Sequence, residues 1–338
     1  ILANCQSNSN LRTDIIRHPK SASRESMQRV AFLIPEPVPT GSGFIDGNYL
    51  RFANELTARG CEVSLCTTDT LALSRSWVAA DGWRVSGELS EFENPGERTR
   101  FLLNEFATIW VFSLGKRASF LDKFQMLYAL GTNIRFINSL DAIMHLKSKY
   151  FITSLPEMIR HPETHAATNP RTLLAIINES DKSWVAKPPA GSLGRDVFLL
   201  QPGDTNNSAI LEHLCGPDQD QYTLLQEHIG AIRHGEKRVL LAGGEVIGQY
   251  KRTAVNDHRT NLLQGANSEA CELTEDERNC CNEMGTFLTS MGANYVGLDM
   301  VYPWIIEFNV INPGGLVTIE QLTGENLAPQ IISQLDFT

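Results

Sequence analysis

The segment Val296-Gly297-Leu298-Asp299-Met300-Val301-Tyr302-Pro303-Trp304-Ile305-Ile306-Glu307-Phe308-Asn309 sets two acids and an amide in an otherwise apolar stretch. Read as an antiparallel hairpin centred on Pro303, it puts Tyr302 against Trp304 and Asp299 against Glu307. Asn309 lies two residues beyond Glu307 and shares its face. Directly opposed side chains have Cβ atoms about 4.5–5.5 Å apart. Two carboxylates that close in apolar surroundings repel each other and need a counter-cation. Two carboxylates and an amide oxygen are hard oxygen ligands, a set that suits Mg²⁺. A shifted register, with one acid solvated, is the competing reading.

A second group of residues could bind anions. Lys187 ends the strand-like Ser183–Lys187 and is followed by Pro188-Pro189-Ala190-Gly191-Ser192-Leu193-Gly194. Free backbone N–H groups in such a glycine loop can cradle phosphate, and a nearby lysine adds charge. An ordinary hairpin turn has the same composition. Between Ala231 and Leu262 six bases (Arg233, Lys237, Arg238, Lys251, Arg252, Arg259) face three acids (Glu236, Glu245, Asp257). In a strand over 237–241, Arg238 shares a face with Leu240 and is poorly placed for bulk water. It needs an anion, which is either a protein carboxylate or a bound phosphate or carboxylate.

Other motifs fall short. His161 and His165 flank Glu163, but Pro162 stands where H-E-x-x-H has its acid, so no zinc helix is read there. There is no Walker A sequence and no G-x-S-x-G elbow. Gly41, Gly43 and Gly47 depart from the dinucleotide fingerprint.

These residues need a scaffold, and the apolar pattern supplies one. Arg29–Ile34 reads as a buried strand, followed by a loop rich in Pro and Gly. A helix closed by Gly60 comes next, then a strand over Cys61–Thr67. That is a βαβ unit and implies a parallel sheet. Ala107–Ser113 and Asn133–Asn138 extend it, with a helix over Ser119–Leu130 between them. Residues 29–138 therefore read as one doubly wound α/β domain, preceded by a polar, mobile extension over 1–28. In the second half, Ser183–Lys187 and Asp196–Gln201 form an antiparallel pair. Leu224–Ile229, Lys237–Leu241 and Glu245–Arg252 add strands, and Thr274 with Glu277 signals a capped helix that Gly292 ends. Strands followed by helices suggest an α+β domain over 139–338.

Composition narrows the function. The chain has 338 residues, 29 Lys+Arg and 39 Asp+Glu, for a net charge of −10, which argues against a whole-chain nucleic-acid binder. The segment 263–338 holds eleven acids and one base, so it carries all of that charge. No apolar run reaches membrane-spanning length, and the first 28 residues lack the apolar core of a secretory signal. Seven cysteines without a C-x-x-C read as reduced thiols of a cytoplasmic protein.

Lys187 with its glycine loop, His228–Leu240 (HIGAIRHGEKRVL), Asp257–Leu262 (DHRTNL), and Val296–Asp299 with Glu307-Phe308-Asn309 together resemble bacterial glutathione synthetases, which are ATP-grasp carboxylate–amine ligases. The resemblance spans roughly residues 135–330. It implies an N-terminal α/β (pre-ATP-grasp) domain and then an ATP-grasp domain over 139–338, with a lid subdomain at about 150–229. It also implies ATP with Mg²⁺ (or Mn²⁺), small peptide and amino-acid substrates, and an acyl-phosphate intermediate. By the same resemblance Lys149 and Lys187 contact ATP with Gly191, Ser192 and Gly194, and Gln226, Glu227, His228 and Ile229 hold adenine and ribose. Asp299, Glu307 and Asn309 match the metal ligands. Arg238, Arg259 and Arg252 match arginines that face the phosphates and the acyl substrate, and Asn312, Gly314 and Gly315 fall in a substrate turn. No nucleic-acid or membrane partner is implied, and a homo-oligomer is compatible.

The chain also departs from the family. Where the family carries Arg-Lys-Asp-Pro-Pro, this sequence reads Phe112-Ser113-Leu114-Gly115-Lys116-Arg117-Ala118-Ser119. Where the family has Ser-Pro-Thr or Ser-Pro-Gly, it reads Asn312-Pro313-Gly314-Gly315-Leu316. The ATP half is thus better matched than γ-glutamylcysteine and glycine as substrates. Another small-peptide ligase stays open. So do two other classes, a glycosyltransferase suggested by the glycine loop before Asp46–Gly60 and a non-catalytic ATP-binding protein.

Overall fold

The computed structural model describes residues 27–37, 46–90, 96–189, 196–254 and 266–337. The extension expected over 1–28 lies outside these, apart from its last two residues.

The chain builds three sheets in order. The first contains β1 (Arg29–Ile34), β2 (Glu62–Thr67), β3 (Ala72–Ser74), β4 (Trp77–Arg84), β5 (Thr99–Leu102), β6 (Thr108–Val111) and β7 (Arg135–Ile137). Helices α1 (Gly47–Ala58), α2 (Phe120–Tyr128) and α3 (Leu140–Leu146) accompany it. The strand order is β3-β4-β2-β1-β6-β7, with β5 also on β4. Strand β1 pairs in parallel with β2 and β6, as a βαβ unit requires. Its apolar run is unbroken because both faces are covered: Val30, Phe32 and Ile34 pack with α1, while Ala31 and Leu33 pack with α2 and α3. The doubly wound reading needs one addition, because β3, β4 and β5 join antiparallel at one edge. Their residues mix Gly82, Asp81 and Arg84 with apolar ones, and this hides the strand pattern.

The second sheet runs β10-β9-β11-β8 and is antiparallel throughout. It comprises β8 (Thr164–Ala167), β9 (Trp184–Lys187), β10 (Phe198–Leu200) and β11 (Thr223–Glu227), with α4 (Pro170–Asn178) and α5 (Asn207–Cys215) against it. Leu173, Ile177, Trp184, Leu211 and Leu225 give this unit its own core. Helices thus lie between the strands here, and the expected strands-then-helices order is corrected. Asn169 caps α4 and Pro170 opens it, a start signal that the sequence contains.

The third sheet, order β14-β13-β12-β15-β16, carries the residues of interest. Its strands are β12 (Glu236–Ala242), β13 (Glu245–Thr253), β14 (Asn267–Glu269), β15 (Tyr295–Val301) and β16 (Trp304–Asn309). Helix α6 (Glu275–Ser290) packs on one face through Cys281, Met284 and Leu288. Helices α7 (Leu316–Thr323) and α8 (Ala328–Gln334) lie on the other side with α1. Asn138 joins the first and third sheets: its side chain donates to the carbonyls of Tyr295 and Val310 and accepts from the Tyr295 N–H. Among the described residues no helix is long and apolar enough to cross a membrane.

Candidate active site

The acidic hairpin forms, with one correction to its register. The turn is Tyr302-Pro303, so Val301 faces Trp304 and Met300 faces Ile305; Tyr302 does not face Trp304. A bulge follows, leaving Ile306 unpaired, and the shift brings Asp299 opposite Glu307. Asn309 pairs with Gly297, two residues from Asp299. Gly297 has a local reason to be glycine, because a Cβ there would stand 2.9 Å from Pro313.

The counter-charge that these acids require comes from neighbouring strands. Arg238 on β12 lies opposite Asp299 on β15. Its Nε and Nη2 donate to the two Asp299 oxygens at 2.6 and 3.0 Å, and its Nη1 donates to the Gly314 carbonyl at 2.7 Å. Of the two anions that the sequence left open for Arg238, the one present is a protein carboxylate. Arg252 on β13 lies opposite Glu236. It donates to Glu236 and, at 2.6 Å, to Asp299 Oδ1. Glu236, Arg238, Arg252 and Asp299 are 4, 7, 5 and 6 % exposed, so this is a buried four-charge cluster. Burial pulls both guanidinium pKa values down, but the neighbouring acids together raise them, Asp299 for Arg238 and Asp299 with Glu236 for Arg252.

The two lysines meet the same acids from the second sheet's side. Lys149 opens a short 3-10 turn over Lys149–Ser154, and its ammonium pairs with Glu307. Its backbone N–H donates to Pro189 at 3.2 Å, just before the glycine loop. Burial pushes the Glu307 carboxyl up, yet Lys149 and Lys187 hold it down at about 2. Lys187, the last residue of β9, is buried and donates to Gln226 Oε1 at 2.9 Å. Burial lowers the Lys187 pKa to about 8 against the pull of Glu307.

The other candidates divide into four groups. Gln226 joins the cluster through Lys187 and also donates to Thr164 Oγ1 at 3.2 Å. Glu227 turns instead to Lys182 at 3.3 Å, and the backbone N–H groups of Glu227 and His228 are taken by the carbonyls of Glu163 and Ser183. Ile229 precedes a 3-10 turn over Gly230–His234. Asn312 and Gly314 border the site: the Asn48 amide lies 3.5 Å from Asn312, and Gly314 accepts from Arg238. Gly315 adopts φ +140, where a Cβ would stand 3.1 Å from Tyr250. Gly191, Ser192, Gly194 and Arg259 lie outside the described residues. The sequence reading missed Glu236 as a site residue. The signal was present, since it stands two residues before Arg238 and therefore on the same strand face.

The donor set fits a hard divalent cation, with two carboxylates and an amide side chain converging beside two lysines that suit phosphate. The fold matches that of solved ATP-grasp enzymes. The crystal structure of D-cycloserine synthetase DcsG superposes with a TM-score of 0.63 at 15% identity, over 91% of this chain and 100% of that one. A RimK domain ATP-grasp protein from Sphaerobacter thermophilus gives 0.59 at 17% identity, over 91% and 99%. With the family match that follows, the molecule is an ATP-grasp ligase. More narrowly, residues 148–324 match the model of the prokaryotic glutathione synthetase ATP-grasp domain, and the chain belongs to that family. Curated relatives include the glutathione synthetases of Synechococcus elongatus, 26% identical over 77% of this chain and 79% of that protein, and of Mesorhizobium japonicum, 26% identical over 81% and 88%. Like its family, the chain is an ATP-dependent ligase that acts on small molecules with ATP and a divalent metal ion.

Proposed function

We propose that this enzyme makes glutathione or a close analogue, joining the carboxylate of γ-glutamylcysteine to the amine of glycine while ATP is converted to ADP and phosphate. The substrate carboxylate takes the γ-phosphoryl group, the amine attacks the resulting acyl phosphate, and phosphate leaves. The observation that carries the reading is the convergence of Lys149, Lys187, Asp299, Glu307 and Asn309 in one partly buried site.

Phosphoryl transfer depends mainly on positioning and charge neutralisation. Lys149 and Lys187 bind the phosphates as point charges. Asp299, Glu307 and Asn309 hold Mg²⁺, which when bound neutralises phosphate charge; Mn²⁺ has the same ligand preference. Arg238, on the Gly314 side, faces the acyl group and stabilises the oxyanion of the tetrahedral intermediate, with Arg252 beside it. Gln226 to Ile229 form the adenine and ribose wall. The acyl phosphate is hydrolysable, so the reaction requires that water be excluded. Asn312, Gly314 and Gly315 border the amine subsite. The N-terminal unit 29–138 supplies the acyl-substrate side, and 139–338 supplies ATP chemistry with 150–229 as the lid. The six cysteines among the described residues are free thiols, which suits the cytoplasm.

The departures at 112–119 and 312–316 favour a second reading, a ligase for another small peptide or amino-acid conjugate. One experiment separates the two: ADP release with Mg²⁺-ATP across a panel of dipeptides and amino acids. Turnover that requires γ-glutamylcysteine and glycine supports the first reading. Turnover with another pair replaces it, and no turnover with any pair removes both.

A further inference from the structure

Asp299 is heavily engaged for a metal ligand. Arg238 takes both of its oxygens, and Arg252 takes Oδ1 again. A carboxylate has about four lone-pair sites, so a cation has room on Oδ2, but there it competes with two guanidinium charges, and release of one strengthens its hold. Arg238 is tied in place by its second anchor, the Gly314 carbonyl. Arg252 has a different second anchor, a full carboxylate: Glu236, buried on the adjacent strand and directly opposite it. One end of the Arg252 guanidinium therefore bridges two buried acids, and its Nε is buried with no hydrogen-bond partner among the described residues. An arginine that must stay charged in a dry site can leave one acid only if another receives it.

We propose that Glu236 is a positioning residue that receives Arg252 and so releases Asp299 to the divalent ion. This inference rests on the metal reading of the previous subsection and extends it to a residue with no assigned role. Charge supports it. Lys149, Lys187, Arg238 and Arg252 face Glu236, Asp299 and Glu307, so the cluster is one positive charge from neutral, and loss of Glu236 leaves Arg252 with Asp299 as the acid it grips. The metal site then weakens although none of its ligands has changed. Supporting groups of this kind typically set metal affinity by about 10–100-fold.

The test is Mn²⁺ binding in the presence of ADP, followed by electron paramagnetic resonance of free Mn²⁺, with ADP affinity measured separately by calorimetry. Glu236→Gln is expected to weaken Mn²⁺ by about 10-fold or more while ADP affinity without metal is unchanged. Glu236→Asp restores part of the loss. The double variant Glu236→Gln/Arg252→Gln is decisive, because removal of the gripping guanidinium should return Mn²⁺ affinity toward wild type. A purely structural role predicts a double variant at least as impaired as the single one, and that result overturns the proposal, as does unaltered Mn²⁺ affinity in Glu236→Gln. If Glu236→Gln does not fold, the double variant, which removes both charges of the pair, carries the test. Wild-type protein with ADP that binds no Mn²⁺ removes the metal reading itself and this inference with it.

Discussion

Arg238 grips both carboxylate oxygens of Asp299 across adjacent strands, and both groups are buried. The two acids of the hairpin should therefore respond differently to neutralisation. Asp299→Asn leaves Arg238 and Arg252 without their shared partner, and breaking a buried pair in this way typically costs about 3–5 kcal/mol. Glu307 is paired with one lysine and its side chain is 24% exposed, so Glu307→Gln should leave the fold largely intact. Both should lower metal-dependent ADP release by about 100-fold or more. Thermal unfolding beside turnover checks this: a Glu307→Gln protein with wild-type turnover rules out its metal role, and equal melting temperatures for the two variants contradict the burial argument.

Lys187 should make nucleotide binding sensitive to alkali. Burial lowers its pKa from the ordinary 10.5 to about 8, so the ammonium is lost as the pH rises through about 8. A phosphate needs the charged form, and ATP affinity should fall above that point. The stability effect has the opposite sign: enclosing the charge costs free energy below about 8, and that cost disappears as the lysine neutralises between 8 and 10.5. Lys187→Arg keeps the charge and should flatten the binding profile. Calorimetric titration of ADP across this range is the measurement; a flat wild-type profile would show that Lys187 does not contact the phosphates.

Much of this architecture was legible in the residues, for reasons that can be named. Arg29–Ile34, Cys61–Thr67 and Tyr295–Val301 stand out because buried strands need runs of apolar residues. The Asp299–Glu307 opposition could be read because two acids interrupt such a run. Pairing across strands was not legible. That Arg238 meets Asp299, 61 positions away in the sequence, depends on how β12 and β15 align, and nothing local encodes that. Glu236 was seen only as an acid among bases, although its place two residues before Arg238 put it on the same face. The register bulge at Ile306 was hidden as well, since Ile305-Ile306 fits either alignment.

The start of α6 offers a test away from the chemistry. Thr274 caps the helix, its hydroxyl accepting from the Glu277 N–H, while Glu277 accepts from the Thr274 N–H at 2.7 Å. Glu277 also accepts from Lys237 at 2.6 Å, on the strand that carries Arg238. Thr274→Ala should cost about 1 kcal/mol. Glu277→Ala should cost more, because it also leaves Lys237 without its carboxylate. Denaturant midpoints rank the two; a smaller loss for Glu277→Ala would show that the Lys237 contact adds nothing.

The last prediction concerns the loop that bears Lys116 and Arg117. Asp69, after β2, accepts from the Lys116 N–H at 2.8 Å and pairs with Lys123, whose ammonium also donates to the carbonyls of Leu114 and Lys116 at 3.3 Å. Lys123 is buried, and Gly115 between these groups adopts φ +64, where a Cβ would collide with both Asp69 and Lys123. One ion pair thus shapes the turn. Asp69→Asn should cost about 2 kcal/mol, the scale of a hydrogen bond to a charged group, and Gly115→Ala should destabilise as well. The pH dependence follows from the Asp69 carboxyl. Partial burial would raise its pKa, but the hydrogen bonds from Lys123 and Lys116 prevail and hold it below the ordinary 3.8. Its contribution is therefore complete above 3.8 and is lost as the pH falls through the lower folded value. The melting-temperature gap between wild type and Asp69→Asn should be constant from neutral pH down to about 5 and should close in more acidic solution. A gap that persists there would mean that the Asp69 charge is not what holds the loop.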